Sequence, residues 1–282
     1  MLGQFRVHWV WVPLLVAALS GCPSAPPEKQ QAWVMPAPTA AISTEQPLPS
    51  RFNLVSWNVH KQLGQPDWQQ EFSDLQRQYS PHLMALQEVN VNPAQPPSML
   101  PYHYAFGANL AQSDGSHSGV MSLAASPIQS TYLQLSAPTE PVTNTPKASL
   151  MSELIMADGQ SLLMVNIHGI NFVTNAKYQR QLDTLESAID RHQGPVIFAG
   201  DFNTWSDDRK ALLDALAQRQ GLASVPFANS EGIKQFFGHK LDHILYSCQL
   251  TPVAGSADVL SHYTSSDHTP LYVQFDYSPT CS

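Results

Sequence analysis

The sequence lacks a basic stretch. Its 14 Lys and Arg are outnumbered by 22 Asp and Glu, for a net charge of −8. Global charge therefore does not steer the chain toward nucleic acid. The apolar run Val7 to Leu19, interrupted by His8, falls short of the about 20 residues a bilayer span needs. Cysteine is scarce, at three residues. Cys248 and Cys281 could pair in an oxidising compartment or stay as separate thiols. Residues 51–282 show no internal repeat and no second proline-rich break, which favours one α/β domain over two small ones.

The N-terminal run lies behind Arg6 and fits the core of a secretory signal. It ends in Leu19-Ser20-Gly21-Cys22, which resembles a bacterial lipobox, where cleavage precedes a lipidated cysteine. On that reading residues 1–21 are a lipoprotein signal peptide and Cys22 carries the lipid. An ordinary signal peptide with a chance cysteine is the alternative. Pro23 in place of an aspartate fits, by the sorting rules of such lipoproteins, an envelope address at the outer membrane, facing the periplasm. Residues 23–50 hold seven prolines among Ser, Ala, Gln and Thr. That composition buries no core and reads as an extended tether, so that residues 22–50 link the anchor to the domain.

Within the domain, short apolar runs alternate with helical patterns. Strands are expected at 52–57, 83–86, 119–125, 149–156, 162–167, 196–199, 243–246 and 271–275. Helices are expected at 67–79, where Trp68, Phe72, Leu75 and Tyr79 share a face, at 175–191, and at 207–219. Strands outnumber helices, and both crossovers and hairpin-like stretches occur. The pattern predicts two packed sheets with helices outside.

Chemistry-bearing residues recur where these strands end. Asn58 ends the first, and Glu88 follows the second. A glutamate directly after a buried run must be exposed, paired or metal-bound, and magnesium favours one or two carboxylates plus water and phosphate oxygens. His168 follows Val165-Asn166-Ile167 and could donate to a phosphoryl oxygen. Asp201 and Asn203, two apart after Val196 to Ala199, lie on one side of an extended chain. Asp242-His243 and Asp267-His268 are two Asp-His steps. A carboxylate-oriented imidazole is a familiar general base, but the steps alone leave open which aspartate serves which histidine. Each residue taken singly also has an ordinary reading as a turn former, a solvated carboxylate or a core histidine.

In order and together, the blocks at Asn58, Glu88, His168, Asp201/Asn203, Asp242 and Asp267/His268 resemble the endonuclease/exonuclease/phosphatase superfamily. The likeness is strongest to small bacterial secreted or membrane-linked members, whose first block also reads Trp-Asn-x-x-Lys. The resemblance implies a DNase I-like four-layer α/β sandwich, two packed mixed β-sheets flanked by helices. It implies a divalent cation, Mg2+ with Mn2+ or Ca2+ as substitutes, on Glu88 with Asn58 and Asp267. It also implies that Asp242 orients His268, that Asp201 and Asn203 position or activate water, and that His168 stabilises the transition state. Ser118-Gly119 and Lys147 resemble secondary blocks. Lys147 would neutralise phosphate charge or be a plain surface lysine. His60 departs from the pattern, since some abasic-site nucleases carry an acid there.

The expected protein is a monomeric, lipid-anchored phosphoester hydrolase acting on nucleic acid, with phospholipids or phosphomonoesters as alternative substrates. A sphingomyelinase-type enzyme should show exposed aromatic loops, and none is legible in the sequence. A scaffold lipoprotein that has lost catalysis is the alternative from another class. The intact residue set argues against it.

Overall fold

The computed structural model describes residues 46–281 and the backbone of a strand at Ala32–Met35. The signal peptide and Cys22 lie outside the described residues. In chain order the strands are β1 (Ala32–Met35), β2 (Arg51–Asn58), β3 (Leu83–Val91), β4 (His103–Ala111), β5 (His117–Ala124), β6 (Ile128–Leu135), β7 (Ala148–Ile155) and β8 (Ser161–His168). They continue with β9 (Val196–Asp201), β10 (Leu222–Ser224), β11 (Gln235–Phe236), β12 (His239–Lys240), β13 (Asp242–Ser247), β14 (Leu250–Pro252), β15 (Asp258–Val259) and β16 (Leu271–Tyr277). The helices are α1 (Pro66–Tyr79), α2 (Asn175–Ile189) and α3 (Asp207–Arg219).

One mixed sheet runs β1-β4-β5-β3-β2-β16-β14, with β15 beside β16. The other runs β10-β13-β9-β8-β7-β6. The pairs β2–β3 and β8–β9 are parallel and cross over through α1 and α2. Strand alternation assigns the layers. Phe52 and Leu54, Leu83 and Ala85, Leu162 and Met164, and Ile197 and Ala199 meet between the sheets. The alternate residues Val55, Trp57, Met84 and Leu86 pack under α1 with Trp68, Phe72 and Leu75. Leu163, Val165, Ile167 and Phe198 pack under α2 and α3. The result is four layers, helix–sheet–sheet–helix.

Each helix has a local reason to start or stop. Pro66 opens α1, where a missing N–H costs nothing, and Ser80 closes it in a left-handed conformation. The Ser206 side chain caps α3 by accepting from the Arg209 N–H. Of the long strands, β4 and β6 fall outside the expected set, as do the short strands β1, β10, β11, β12, β14 and β15. Gly107 interrupts the pattern of β4, and a Cβ there would stand 2.7 Å from Leu133. β6 is largely half-exposed and polar, so it shows little apolar alternation.

The folded unit also starts before residue 51. Leu48 is fully buried, donates to the Ile155 carbonyl (2.8 Å) and accepts from the Ala157 N–H (2.9 Å). β1 pairs with β4 at the sheet edge. A single docked leucine and a four-residue edge strand among prolines leave no periodic signal.

Cys248 and Cys281 form a disulfide with Cα atoms 5.0 Å apart, tying the C-terminal tail to the turn after β13. Alkylation of the folded, unreduced protein is expected to leave both cysteines unlabelled, with both labelled after reduction and mass spectrometry as the readout. Labelling without reductant would contradict the pairing.

Candidate active site

The alternation that fills the core with apolar side chains places polar ones at the strand ends. The register sets His168, Asp201 and Asp242 side by side on β8, β9 and β13. On the facing sheet, Asn58 ends β2 beside Gln87 of β3. A register shift between Leu86 and Val89, with Glu88 at φ 53°, breaks the alternation there. Leu86 and Val89 both join the outer core, while Gln87 and Glu88 turn inward. Gln87 donates to Asn166 Oδ1 across the sheets (2.8 Å), and Asn166 donates to the carbonyls of Leu86 and Met121. That buried amide pair locks one sheet to the other beneath the site.

Glycines shape the turns that follow. A Cβ on Gly200, at φ 144°, would stand 2.1 Å from the Ile167 carbonyl oxygen, and one on Gly169 2.3 Å from that of Phe202. Only glycine lets these backbones cross. Asn203 then turns back at φ 52°, donating from its amide to the Gly169 carbonyl (2.9 Å) and from its backbone to Asp201 Oδ1 (2.9 Å).

Asp201 is the hub and is 2% exposed. Its Oδ2 accepts from Asn58 Nδ2 at 3.0 Å and lies 3.7 Å from His168 Nε2 and 3.9 Å from His268 Nε2. His268 Nδ1 meets Asp242 Oδ2 at 2.9 Å. Glu88 Oε1 stands 3.4 Å from Asn58 Nδ2 and 3.8 Å from His168 Nε2. Of these groups, Glu88, His168, Asp201, Asn203 and His268 line a cavity of about 290 Å³. An adjoining space of about 260 Å³ shares Glu88, Glu140, Lys147 and His168, and adds Lys61.

Burial sets the charges. It pushes the Asp201 carboxyl up to about 7, with the neighbouring Asp242 adding to the rise and His268 opposing it. Burial pulls His268 down, but Asp242, Asp201 and Asp267 outweigh it and lift the imidazole to about 9. His168 is held well below the usual histidine range by burial, with Lys147, His268 and Lys61 adding to the effect. The surroundings therefore favour the cationic form of His268 and the neutral form of His168, and make Asp201 an unusually basic carboxylate.

Asp267 is not drawn into this cluster. Its oxygens meet Lys234 Nζ at 2.8 Å and His60 Nδ1 at 3.3 Å at the half-exposed rim. Lys147 is mostly covered and lies 3.4 Å from Glu140. His243 faces the other way. Thr204 Oγ1 donates to the Lys240 carbonyl and so receives the N–H of His243 Nε2, at 2.8 Å. Of the two Asp-His steps, the pairing runs between them, from Asp242 to His268.

Three supporting residues carry no sequence signal. Glu71 on α1 accepts from the Thr264 N–H (2.7 Å), the Ser265 N–H and the Ser265 hydroxyl, fixing the turn before His268. Gln181 on α2 accepts from the Ile170 N–H and donates to the His168 carbonyl. Arg209 on α3 is fully buried, sits against Tyr178 and Trp205, and donates to the carbonyls of Ile170, Val173 and Asn203. All three look like ordinary helix-surface residues in the sequence, and only the three-dimensional arrangement shows what they reach.

A family model described as the Endonuclease/Exonuclease/phosphatase family matches residues 55–268. The chain belongs to that family. The UPF0294 protein of Vibrio campbellii is 33% identical over 227 residues, covering 79% of this chain and 77% of that protein. Among solved structures, an endonuclease/exonuclease/phosphatase family protein from Leptotrichia buccalis matches with TM-score 0.60 at 16% identity, over 80% of this chain and 100% of that one. The human Nocturnin catalytic domain with bound sulfate anion matches with TM-score 0.59 at 18% identity, over 83% and 97%. These solved structures share the DNase I-like sandwich. Members of the endonuclease/exonuclease/phosphatase superfamily are generally phosphoester hydrolases that use divalent metals.

The donors suit a hard cation. Glu88 brings carboxylate oxygen to the cavity wall, the ligand chemistry that magnesium favours, while Asn58 turns its Nδ2 to Glu88 and Asp201 and its Oδ1 accepts from the His60 N–H. Asp201, Asp242 and His268 also converge, with ligand atoms within 4.8 Å of one another. There His268 Nδ1 is committed to Asp242 at 2.9 Å, so the Glu88 side is the better cation position.

Arg209→Met is expected to lose about 2–4 kcal/mol of unfolding free energy in urea, because three buried carbonyls lose a charged donor. A loss under about 1 kcal/mol would contradict the clamp. Burial, with a smaller push from Lys210, lowers His243 to about 4. The unfolded chain takes up that proton below about 6.5 and the folded chain does not, so stability is present above pH 6.5 and is lost as pH falls toward 4. The stability lost between pH 7 and pH 5 should therefore shrink by about 2 kcal/mol in His243→Gln. An unchanged difference would count against a neutral imidazole at His243.

Proposed function

We propose that this chain is a divalent-metal-dependent phosphodiesterase that hydrolyses P–O bonds by direct water attack. The observation that carries the reading is the convergence of Asp201, Asn203, His168 and the Asp242–His268 pair on one cavity floor. A divalent cation held by Glu88, with Asn58 beside it, would supply Lewis-acid polarisation of a phosphoryl oxygen. Burial and the neighbouring Asp242 raise the proton affinity of the Asp201 carboxylate, which suits the base that takes the proton from water. Asn203 positions that water beside it. His268, kept cationic by Asp242, offers its Nε2–H to charge building on the phosphoryl oxygens, and neutral His168 offers a second donor. Lys147 adds positive charge at the cavity edge.

The wider placement belongs to the same proposal. A lipid on Cys22 would hold the domain at an envelope membrane, and the Cys248–Cys281 disulfide supports an oxidising compartment. Nucleic acid is the leading substrate, with phospholipids and phosphomonoesters as alternatives.

Purified protein should be offered plasmid DNA, bis(4-nitrophenyl) phosphate, sphingomyelin and phosphoinositides, with magnesium and then with a chelator. Turnover with magnesium is expected, lost on chelation and lowered about 10²-fold or more in His268→Ala and in Asp201→Asn. Turnover that survives both variants would remove these residues from the mechanism.

A further inference from the structure

Among the described residues, six large hydrophobic side chains are exposed, and three of them, Phe172, Phe236 and Phe237, gather at the mouth of the catalytic cavity. Phe172 and Phe236 line the same space as Asp201, Asn203 and His268. Their ring centroids are 6.3 Å apart and nearly perpendicular, and Phe237 lies 4.3 Å beyond Phe236. Phe172 also approaches Trp205, at 6.5 Å.

This wall is built rather than incidental. Asn171 Oδ1 accepts from the Phe172 N–H (2.9 Å) and from Trp205 Nε1 (2.8 Å), while the Asn171 N–H donates to Glu140 (3.1 Å). Arg209 backs Trp205 from below, 4.5 Å from the ring. Phe172 and Phe237 both hang on left-handed backbone, at φ 50° and 51°. Aromatic residues rarely adopt that conformation, and where they do it concentrates at ligand clamps. Phe236 stands on the β11–β12 hairpin, which runs directly into Leu241 and Asp242, so the wall and the catalytic strand are one piece.

We infer that Phe172 and Phe236 form a stacking subsite for a flat aromatic ring carried by the substrate next to its phosphorus. The inference rests on the phosphoesterase reading and sharpens it to esters with a ring substituent. Apart from Phe172, Phe236 and Leu241, the cavity lining is polar. Three apolar side chains cover one ring, whereas an acyl chain needs a longer apolar track. Stacking on phenylalanine recognises any ring by its face. On the opposite side the space continues toward Lys147 and Lys61, which suits the anionic remainder of such an ester.

The test uses binding, so it does not depend on turnover. Phenylphosphonate and methylphosphonate carry the same anion and differ by the ring. Titration calorimetry of the purified protein with magnesium is expected to show phenylphosphonate bound about tenfold more tightly. The preference should fall to near unity in Phe172→Ala/Phe236→Ala, with methylphosphonate affinity unchanged. Phe172→Leu, which keeps apolar contact and removes the flat face at an exposed position, should lose most of it as well. Equal binding of both phosphonates to the unaltered protein would overturn the subsite and leave the phosphoesterase reading standing. A ring preference that survives in the double variant would place the ring elsewhere. Failure of both phosphonates to bind would sink the two readings together. Equal phosphonate binding, with phosphatidylglycerol-vesicle binding lost in the double variant, would make the wall a membrane contact and overturn the inference.

Discussion

A carboxylate closed off from water must be compensated, and Asp201 imposes that demand on everything around it. It sits between two sheets, with Asp242 as its β-ladder neighbour. The arrangement answers with one imidazolium shared by the two acids, the Asn58 amide and the Asn203 backbone N–H. Removing any one of these leaves the buried negative charge with one partner fewer. The same compensation places an unusually basic carboxylate beside an imidazole held by a second acid, the kind of perturbed cluster that marks candidate functional sites.

The site can be this tightly specified because its loops are held from outside. Each outer helix lends a side chain: Glu71 from α1 to the turn before His268, Gln181 from α2 to the turn after His168, and Arg209 from α3 to both that turn and Asn203. The layered fold therefore does two jobs. Its inner faces set the register of the candidate site residues, and its outer helices fix the loops that carry the rest. Alternation alone would aim Glu88 outward, and the bulge at Gln87–Glu88 brings it in.

The strand-end chemistry was legible because it follows period-two alternation into a polar end: Asn58, His168, Asp201 and Asp242 each continue an inner-face run. The two-sheet architecture was legible for the same reason. The pairing of Asp242 with His268 is a contact between a strand and a distant loop, which no local pattern encodes. Asp267 sits next to His268 in sequence yet turns to Lys234 and His60, because neighbours on an extended turn face opposite ways. β4 and β6 escaped notice through a glycine and a polar edge. Leu48 escaped because one docked residue has no period. The exposed phenylalanines were invisible as a group, since Phe172 and Phe236 are distant in sequence and meet only at the cavity mouth.

The central claim is attack of water on phosphorus at the Asp201 floor. Its most direct test is single-turnover hydrolysis of a phosphodiester in ¹⁸O-water with magnesium, read by mass spectrometry of both products. One ¹⁸O is expected in the phosphate product and none in the released alcohol. Label in the alcohol would show cleavage of the C–O bond, and would contradict the account.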